Sequence, residues 1–352
     1  MRRLIIILLS LLLAAPVASA QYFYKIAPPQ ALYLPCDTTS LFIIGDVMMH
    51  SKQLDYDQEF FLRHIEHRMQ AADFCIANME FSLGGPPYTG YPAFSTPDDY
   101  PEYAARCGAD IFLLANNHVL DRGSKGLKRT LKVYDKMADS LGIRYTGIGR
   151  EPLMIRRRGL RVALVNFTYG TNIGPEEATP DVLRMKQADV KCAIDKAREA
   201  GADFIVALPH WGNEYQLNHS ANQEFWAKWL VEQGCCAIVG SHPHVVQDTT
   251  HIKGVPVIYS MGNAVSNMSA TNTRLELAVT LRFVRDQNNG ECRMLEPQLD
   301  FMWCTLPDRL TESYATIFVD EWTDRRDAWL SPDDYDNMLA TLSRVRTATG
   351  IR

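Results

Sequence analysis

The sequence predicts a mixed α/β fold with more than one β-sheet, and three observations indicate it. Short apolar runs that end abruptly in polar residues are typical of buried strands, and they lie at Leu41–Ile44, Phe74–Ala77, Ile111–Ala115, Phe204–Leu208 and Ala237–Val239. Segments with helical periodicity lie between several of these runs, at Gly126–Leu141, Val190–Ala200 and Glu224–Glu232. Turn dipeptides that favour hairpins occur at Arg158-Gly159, Lys253-Gly254 and Asn289-Gly290. Alternating strands and helices indicate an α/β sheet, part of which the hairpins make antiparallel.

The composition is that of an ordinary folded protein. Of the 352 residues, 47% are hydrophobic and 22% are charged, and no low-complexity tract is present, which excludes a disordered chain, a collagen and a coiled coil. The 36 basic and 41 acidic residues give a net charge of −5. No basic run is present that could neutralise the phosphates of a nucleic acid. We therefore expect no nucleic-acid partner.

Residues 1–20 have the pattern of a signal peptide. Arg2 and Arg3 precede the apolar run Leu4–Leu13, and small residues follow at Ala18 and Ala20, which is the spacing that a signal peptidase reads. The apolar run is too short to cross a bilayer, which requires about 20 residues. We expect cleavage after Ala20, a secreted or periplasmic protein, and no transmembrane segment in the mature chain.

The remaining chain divides into three parts. A lead-in with several prolines covers residues 21–39, and residues 40–285, which contain no linker-like stretch, are expected to form the main domain. Residues 286–352 carry two strand-like segments and a helix whose start is marked by Ser331-Pro332-Asp333-Asp334. We expect this C-terminal segment to be a small α+β appendage packed on the main domain.

Polar side chains that can bind a metal follow five of the predicted strands. They are Asp46, Glu80, Asn117 with His118 and Asp121, His210, and His242 with His244. Because ligands of α/β sheets bind beyond the carboxyl ends of the strands, these groups could converge in one cleft. Each one alone has another interpretation, such as a turn at Asp46, a helix cap at Asn117 or a packed ring at His210.

Imidazole and carboxylate groups together are ligands of zinc, manganese and iron, and this donor set does not choose among them. One residue separates His242 from His244, so in an extended segment both side chains would face the same centre. Asp46 and Glu80 supply the negative charge that two cations about 3.5–4 Å apart require. We therefore expect divalent metal ions of open identity, and the two carboxylates carry charge enough for two of them.

Six blocks of the sequence resemble the ordered motifs of a bacterial family. They are Gly45–Met49, Ala77–Glu80, Asn116–Gly123, His210–Tyr215, Gly240–Gln247 and Tyr259–Asn263. In this order they resemble the CapA, or poly-γ-glutamate capsule synthesis, family, which is assigned to the calcineurin-like metallophosphoesterase superfamily. The resemblance implies a four-layer αββα sandwich with a dinuclear metal site. It also implies an envelope polymer, a peptide or a phosphoester as substrate, and capsule-export machinery as a partner.

The resemblance further implies a role for individual residues in these blocks. Asp46 and His244 would bind the first metal, and Glu80 would bridge the two. Asn117, His210 and His242 would bind the second metal. His118 would be the imidazole that protonates the leaving group. Asp121 and Glu214 lie in the same blocks and are the further catalytic candidates.

Two functions are consistent with these roles. The first is an exported metal-dependent hydrolase, either phosphoesterase-like or acting on γ-glutamyl bonds, and the order of the motifs favours it. The second is a non-catalytic envelope factor that binds a polyanionic polymer for export or anchoring. The wider superfamily places a histidine two residues after its first aspartate, where this chain has Met48, and the nearest histidine is His50. This departure favours the second function.

We expect the exported protein to begin at Gln21, because the small residues Ala18 and Ala20 direct cleavage between Ala20 and Gln21. Mass spectrometry of the N-terminal peptide from the extracytoplasmic fraction checks this. An Ala20→Arg variant should remain uncleaved. An exported wild-type protein that still begins at Met1 would contradict the prediction.

Overall fold

Two β-sheets lie face to face in the computed structural model, which describes residues 38–173 and 181–352. The predicted signal peptide and almost all of the lead-in lie outside these ranges. The strands within them are β1 (Thr38–Val47), β2 (Phe74–Met79), β3 (Ala109–Leu113), β4 (Arg144–Thr146), β5 (Leu153–Arg157), β6 (Leu160–Thr168), β7 (Phe204–His210), β8 (Ala237–Val239), β9 (Thr249–Ile252), β10 (Val255–Ile258), β11 (Leu275–Arg285), β12 (Cys292–Met294), β13 (Gln298–Thr305) and β14 (Ala315–Phe318). The α-helices are α1 (Glu66–Ala71), α2 (Asp99–Arg106), α3 (Gly123–Leu141), α4 (Gln187–Glu199), α5 (Ala221–Glu232) and α6 (Pro332–Thr349).

Both sheets combine parallel and antiparallel strands. The first sheet has the order β14-β13-β11-β1-β2-β3-β4, in which β1 to β4 are parallel and β11, β13 and β14 are antiparallel to their neighbours. The second has the order β5-β6-β7-β8-β10-β9, with β5 and β9 antiparallel at its edges. The three predicted hairpins are confirmed as the antiparallel pairs β5–β6, β9–β10 and β11–β12.

Successive side chains of each strand point to opposite faces of its sheet, and this alternation produces the layers. Leu41 and Ile43 of β1 pack between the sheets with residues such as Val206 of β7, whereas Phe42 and Ile44 pack on the other side with α1, α2 and α3. Successive strand residues point to opposite faces, so a run that is apolar throughout indicates a strand buried on both sides. The helices α4 and α5 cover the outer face of the second sheet.

The predicted mixed α/β fold is therefore confirmed, with the four layers α, β, β and α. Four strands differ from their predicted bounds: β1, β2 and β7 extend beyond their apolar runs, whereas β3 begins earlier, at Ala109, and ends at Leu113 rather than at Ala115. The N–H groups of Leu114 and Ala115 are still hydrogen-bonded, to the Thr146 carbonyl and to the Asn166 side chain of β6. None of the helices in the described ranges is long and apolar enough to cross a bilayer.

The C-terminal segment continues the first sheet. β13 pairs with β11, and β14 pairs with β13. Helix α6 packs through Tyr335, Met338 and Val345 into the same apolar cluster as Trp303 of β13. The helix start predicted at Ser331-Pro332 is confirmed, with Pro332 in its first turn. The division at residue 285 into a main domain and an appendage remains a prediction.

A buried ion pair attaches α6 to the sheet. The Arg274 guanidinium bonds both carboxylate oxygens of Asp334, at 2.5 and 2.6 Å, and its Nε donates to the Cys304 carbonyl at 2.8 Å. The guanidinium also lies over the Trp303 ring, 4.3 Å from its centroid. Both charged side chains are buried, so each depends on the other for its hydrogen bonds.

An Arg274→Met variant should be destabilised by about 3–5 kcal/mol, because it leaves the Asp334 carboxylate buried without its partner. Urea unfolding of the purified protein measures the free energy. The control is Arg326→Met, which removes an exposed pair with Asp336 and should change stability little. Equal effects of the two substitutions would show that the buried pair does not hold α6.

Candidate metal centre

The carboxyl ends of strands from both sheets meet at one buried cluster of polar side chains. Its members are Asp46 near the end of β1, Glu80 after β2, Asn117 after β3, His210 at the end of β7, and His242 and His244 after β8. Six of the sequence-predicted ligands are thus brought together. The cluster forms because parallel strands in both sheets deliver their carboxyl ends to the same side of the sandwich.

Two groups of possible ligands share one carboxylate. Glu80, His210 and His242 form one group, and Asp46, Glu80 and His244 form the other; within each group, the ligand atoms lie within 4.8 Å of one another. Glu80 is the member that both have in common. The arrangement matches a bridging role for Glu80, although the assignment of each residue to a metal remains a prediction.

The Glu80 carboxylate is buried with neither oxygen hydrogen-bonded within the described part of the chain. Its Oε1 lies 3.5 Å from His210 Nε2 and 3.8 Å from His244 Nε2, which are ion-pair distances beyond hydrogen-bond contact. The Nδ1 of buried His242 also has no hydrogen-bond partner among the described residues. Unpaired buried groups of this kind are costly, and divalent cations would satisfy them. The residues present therefore fit a metal centre.

Asp46 is held in place by hydrogen bonds from both sides of the cluster. Asn78 Nδ2 donates to its Oδ1 at 2.7 Å, and the His242 backbone N–H donates to its Oδ2 at 3.1 Å. Burial alone would raise the pKa of Asp46, but the His244 hydrogen bond and the charges of His210 and His244 outweigh burial and lower the pKa to about 2. Asp46 is therefore a charged carboxylate, the form that binds a cation.

The segment that carries His242 and His244 is not the extended strand that the sequence analysis assumed. Both residues have left-handed backbone conformations, with φ of 100° and 57°. Such conformations are uncommon outside glycine and asparagine and cluster at functional sites. The two imidazoles reach the same cluster through this turn rather than through strand alternation.

Hydrogen bonds to residues around the cluster orient the imidazoles of His244 and His210. His244 Nδ1 lies 2.8 Å from Asn263 Oδ1, and His210 Nδ1 lies 3.0 Å from Ser241 Oγ. His210 Nε2 is 2.7 Å from Asn117 Oδ1, so these two predicted ligands of the second metal lie side by side. Burial lowers the pKa of His244, but the Glu80 and Asp46 carboxylates raise it to about 9. Burial and the neighbouring imidazoles lower the pKa of His242 well below its usual value.

His118 and Asp121 form a second pair beside the cluster. His118 Nδ1 lies 2.6 Å from Asp121 Oδ2, and the backbone N–H of Phe94 donates to the same oxygen at 2.9 Å. The Phe94 ring packs edge-on against the imidazole, with centroids 4.6 Å apart. Burial lowers the pKa of His118, but the Asp121 hydrogen bond and the Glu80 charge raise it above its usual value. His118 belongs to none of the possible metal groups in the described ranges.

Glu214 and His50 occupy different positions around the cluster. Glu214 is exposed, and the possible ligand atoms of Glu214, His242 and His244 lie within 4.8 Å of one another. The structure therefore places this catalytic candidate at the rim of the cluster. His50 packs on Phe94, and its Nδ1 is 3.1 Å from Gln53 Oε1. It is in none of the possible metal groups of the described residues.

Three residues at the site carried no assigned role in the sequence analysis. Asn78 Nδ2 contacts Asp46 and His210, and Asn172 Nδ2 lies 3.1 Å from His118 Nδ1 and donates to Asp121 Oδ1 at 2.9 Å. Asn172 follows β6, so the strand-end rule could have found it.

Glu276 is the third residue at the site that had no assigned role in the sequence analysis. It lies in β11, where its Oε1 accepts the Gly45 N–H, and burial raises its pKa well above the usual range. Its only signal in the sequence is an acid within the apolar run Leu275–Val279.

Comparison with known proteins identifies related sequences. The family model described as "Bacterial capsule synthesis protein PGA_cap" matches residues 40–268. The chain is 30% identical to the "Capsule biosynthesis protein CapA" of Bacillus anthracis over 269 residues, which is 70% of this chain and 64% of that protein. It is 27% identical to the "PGA biosynthesis protein CapA" of Bacillus subtilis strain 168, over 71% of this chain and 69% of that one. It therefore spans less than two thirds of the B. anthracis relative.

Among solved structures, a putative 5′-nucleotidase from Staphylococcus aureus aligns with a TM-score of 0.48 at 14% identity. The alignment covers 74% of this chain and 54% of that chain.

A Glu80→Gln substitution should weaken the stabilisation of the protein by metal, because it removes the carboxylate that the two groups of ligands share. Adding Mn²⁺ or Zn²⁺ at a hundredfold excess over Kd should stabilise the wild type by about 2.7 kcal/mol and the variant much less. Scanning calorimetry of chelator-treated and metal-loaded protein measures both effects. Glu296→Gln, at an exposed pair with His251, is the control. Equal metal stabilisation of wild type and Glu80→Gln would remove Glu80 from the metal centre.

Proposed function

The chain belongs to the bacterial capsule synthesis PGA_cap family, and from this membership and the buried cluster we propose that it is an exported, metal-dependent hydrolase. Its substrate would be poly-γ-glutamate or another polymer of the cell envelope. The observation that carries the proposal is the Glu80 carboxylate, shared by two groups of ligands and without a hydrogen-bond partner in the described ranges. An ordinary structural carboxylate at such depth would be paired.

The names of the relatives support the cellular location that we propose for the reaction. Their names describe capsule biosynthesis and PGA biosynthesis, and residues 1–20 of this chain have the pattern of an export signal. An envelope polymer is a substrate that an exported enzyme can reach. We therefore assign the reaction to the secreted or periplasmic compartment.

Asp46, Glu80, Asn117, His210, His242 and His244 would hold the divalent cations. When bound, cations at such a site polarise the bond to be cleaved and lower the pKa of water. The His244 Nδ1–H donates to Asn263 Oδ1, and this hydrogen bond orients the ring so that its Nε2 faces Glu80. Contacts of this kind fix the orientation of a ligand before metal binds.

His118 supplies the proton for the leaving group in this proposal. Asp121 accepts the hydrogen bond from Nδ1, which leaves Nε2 as the atom that donates to the substrate. Asn172 bonds Asp121 Oδ1, and Phe94 covers one side of the imidazole. These contacts hold the ring in one orientation, as general acid catalysis requires.

A second function is non-catalytic binding of a polyanionic polymer through the same centre. It is favoured by the surroundings of Asp46, both of whose oxygens already accept hydrogen bonds from the protein. Met48 stands where the wider superfamily has a further imidazole. A centre with fewer ligands binds metal less tightly, and it would hold an anionic group without cleaving it.

A His118→Ala variant should retain its metal and lose about 10²–10⁴-fold in kcat, because the proton donor is removed while the ligands remain. Turnover of phosphoesters and γ-glutamyl peptides is measured with zinc, manganese and iron, alongside metal content by elemental analysis. A His242→Ala variant should lose both metal and turnover. His251→Ala, on β9 away from the cluster, should change neither.

Metal-loaded wild type that cleaves none of these substrates, yet binds poly-γ-glutamate with an affinity that His242→Ala abolishes, would establish the second function. Turnover unaffected by both His118→Ala and His242→Ala would contradict both functions.

A further inference from the structure

The strand that carries Asp46 contains one extra residue directly before it. Ile44 of β1 pairs with Ala77 of β2. The next pair is Asp46 with Asn78, so Gly45 has no partner in β2. An extra residue of this kind is a β-bulge, which interrupts the alternation of side chains along a strand. Bulges are frequent beside active sites, because they change the direction in which a side chain points.

The bulge turns Asp46 away from the helices and toward the second sheet. Phe42, Ile44 and Val47 all pack in the cluster on the helix side of the first sheet. Strict alternation from Ile44 would place Asp46 on that side and Val47 between the sheets, since a shift of one residue exchanges the two faces of a strand. With the extra residue, the Asp46 carboxylate instead lies 3.9 Å from His210 Nδ1 of the second sheet.

β1 also separates from β11, its neighbour on the other side, near the bulge. Pairing between these two strands ends at Ile43. Beyond that point the turn at Met261 and Gly262 lies between them: Leu277 of β11 donates its N–H to the Met261 carbonyl at 2.8 Å, and Asp46 donates to the Gly262 carbonyl at 3.0 Å. The bulge therefore lies where the regular pairing of β1 is interrupted on both sides.

The Glu276 side chain reaches the bulge from β11. Its Oε1 accepts the Gly45 N–H, and its Oε2 has no hydrogen-bond partner in the described part of the chain. Burial, and to a smaller extent the Asp46 charge, raises the pKa of this carboxyl well above its usual range. The group is therefore neutral, and its oxygen accepts a hydrogen bond as the oxygen of a glutamine amide does. A buried N–H without an acceptor is costly, so Glu276 supplies what the interrupted pairing lacks.

We infer that Glu276 is a positioning residue of the metal centre: by accepting the Gly45 N–H, it fixes the bulge that directs the Asp46 carboxylate toward the metal. Glu276 bonds the backbone one residue before a ligand, so it acts through Asp46 rather than on the metal itself. Of the two groups of ligands that share a carboxylate, only the one that contains Asp46 should depend on it. The inference rests on the proposed function for the presence of metal, and it adds a residue on which the geometry of the centre depends.

Titration calorimetry of the metal-free full chain with Mn²⁺, and separately with Zn²⁺, tests the inference. A Glu276→Met variant keeps an unbranched side chain but removes the acceptor. Its Kd for metal should rise about 10–100-fold, the usual effect of losing a residue that orients a metal ligand. A Glu276→Gln variant keeps an acceptor for the Gly45 N–H and should bind metal nearly as tightly as the wild type. Circular dichroism checks folding, and Glu276→Ala replaces Glu276→Met if the latter does not fold.

Leu281→Ala is the matched control. Leu281 is buried in the same strand and pairs with Leu41, away from the bulge, so its truncation should lower the stability of the sheet and leave the Kd for metal unchanged. Equal losses of affinity in Leu281→Ala and Glu276→Met would overturn the inference, as would a loss in Glu276→Gln as large as that in Glu276→Met.

The titration also separates this inference from the proposed function. Metal binding by the wild type that Glu276→Met leaves unchanged would overturn the positioning role and leave the metal centre intact. A folded wild type that binds neither Mn²⁺ nor Zn²⁺ would contradict both. Weaker binding in Glu276→Met that Glu276→Gln restores would support the positioning role even in a protein without turnover.

Discussion

The burial of two carboxylates beside three imidazoles is the constraint on which the rest of the structure depends. Asp46 and Glu80 have no exposed surface, and His210, His242 and His244 are at most 3% exposed. Charges at that depth are tolerated only if they are paired or bind metal. The surrounding fold supplies two sheets whose strands end at one place, and it holds the imidazoles of His210 and His244 with outer hydrogen bonds.

Close backbone packing between the end of β1 and the turn at Gly262 is the second requirement. The Asp46 N–H donates to the Gly262 carbonyl at 3.0 Å. A Cβ on Gly45 would lie 2.1 Å from that same oxygen, so only glycine permits the approach. The glycine before Asp46 is therefore a packing requirement of the site.

Much of the fold and of the cluster could be predicted because both follow from local patterns. The apolar runs that predicted β1, β2, β7 and β8 end at the residues now found together, since a parallel strand fixes where its next polar residue lies. The left-handed turn at His242 and His244 could not be predicted, because tertiary contacts set the sign of φ there. The role of Glu276 could not be predicted either. Its partner Gly45 lies far away in sequence, and a single acid has no periodicity to read.

The central position of β11 has a consequence for how the chain folds. Ile43 pairs with Val279, so the strand that carries Asp46 is completed by one that follows residue 268, where the family match ends. Loop-closure entropy opposes such pairings between distant segments until most of the chain is present, and folds dominated by them form slowly. The first sheet, and the cluster of charged groups at the ends of its strands, would therefore remain incomplete until β11 has been synthesised.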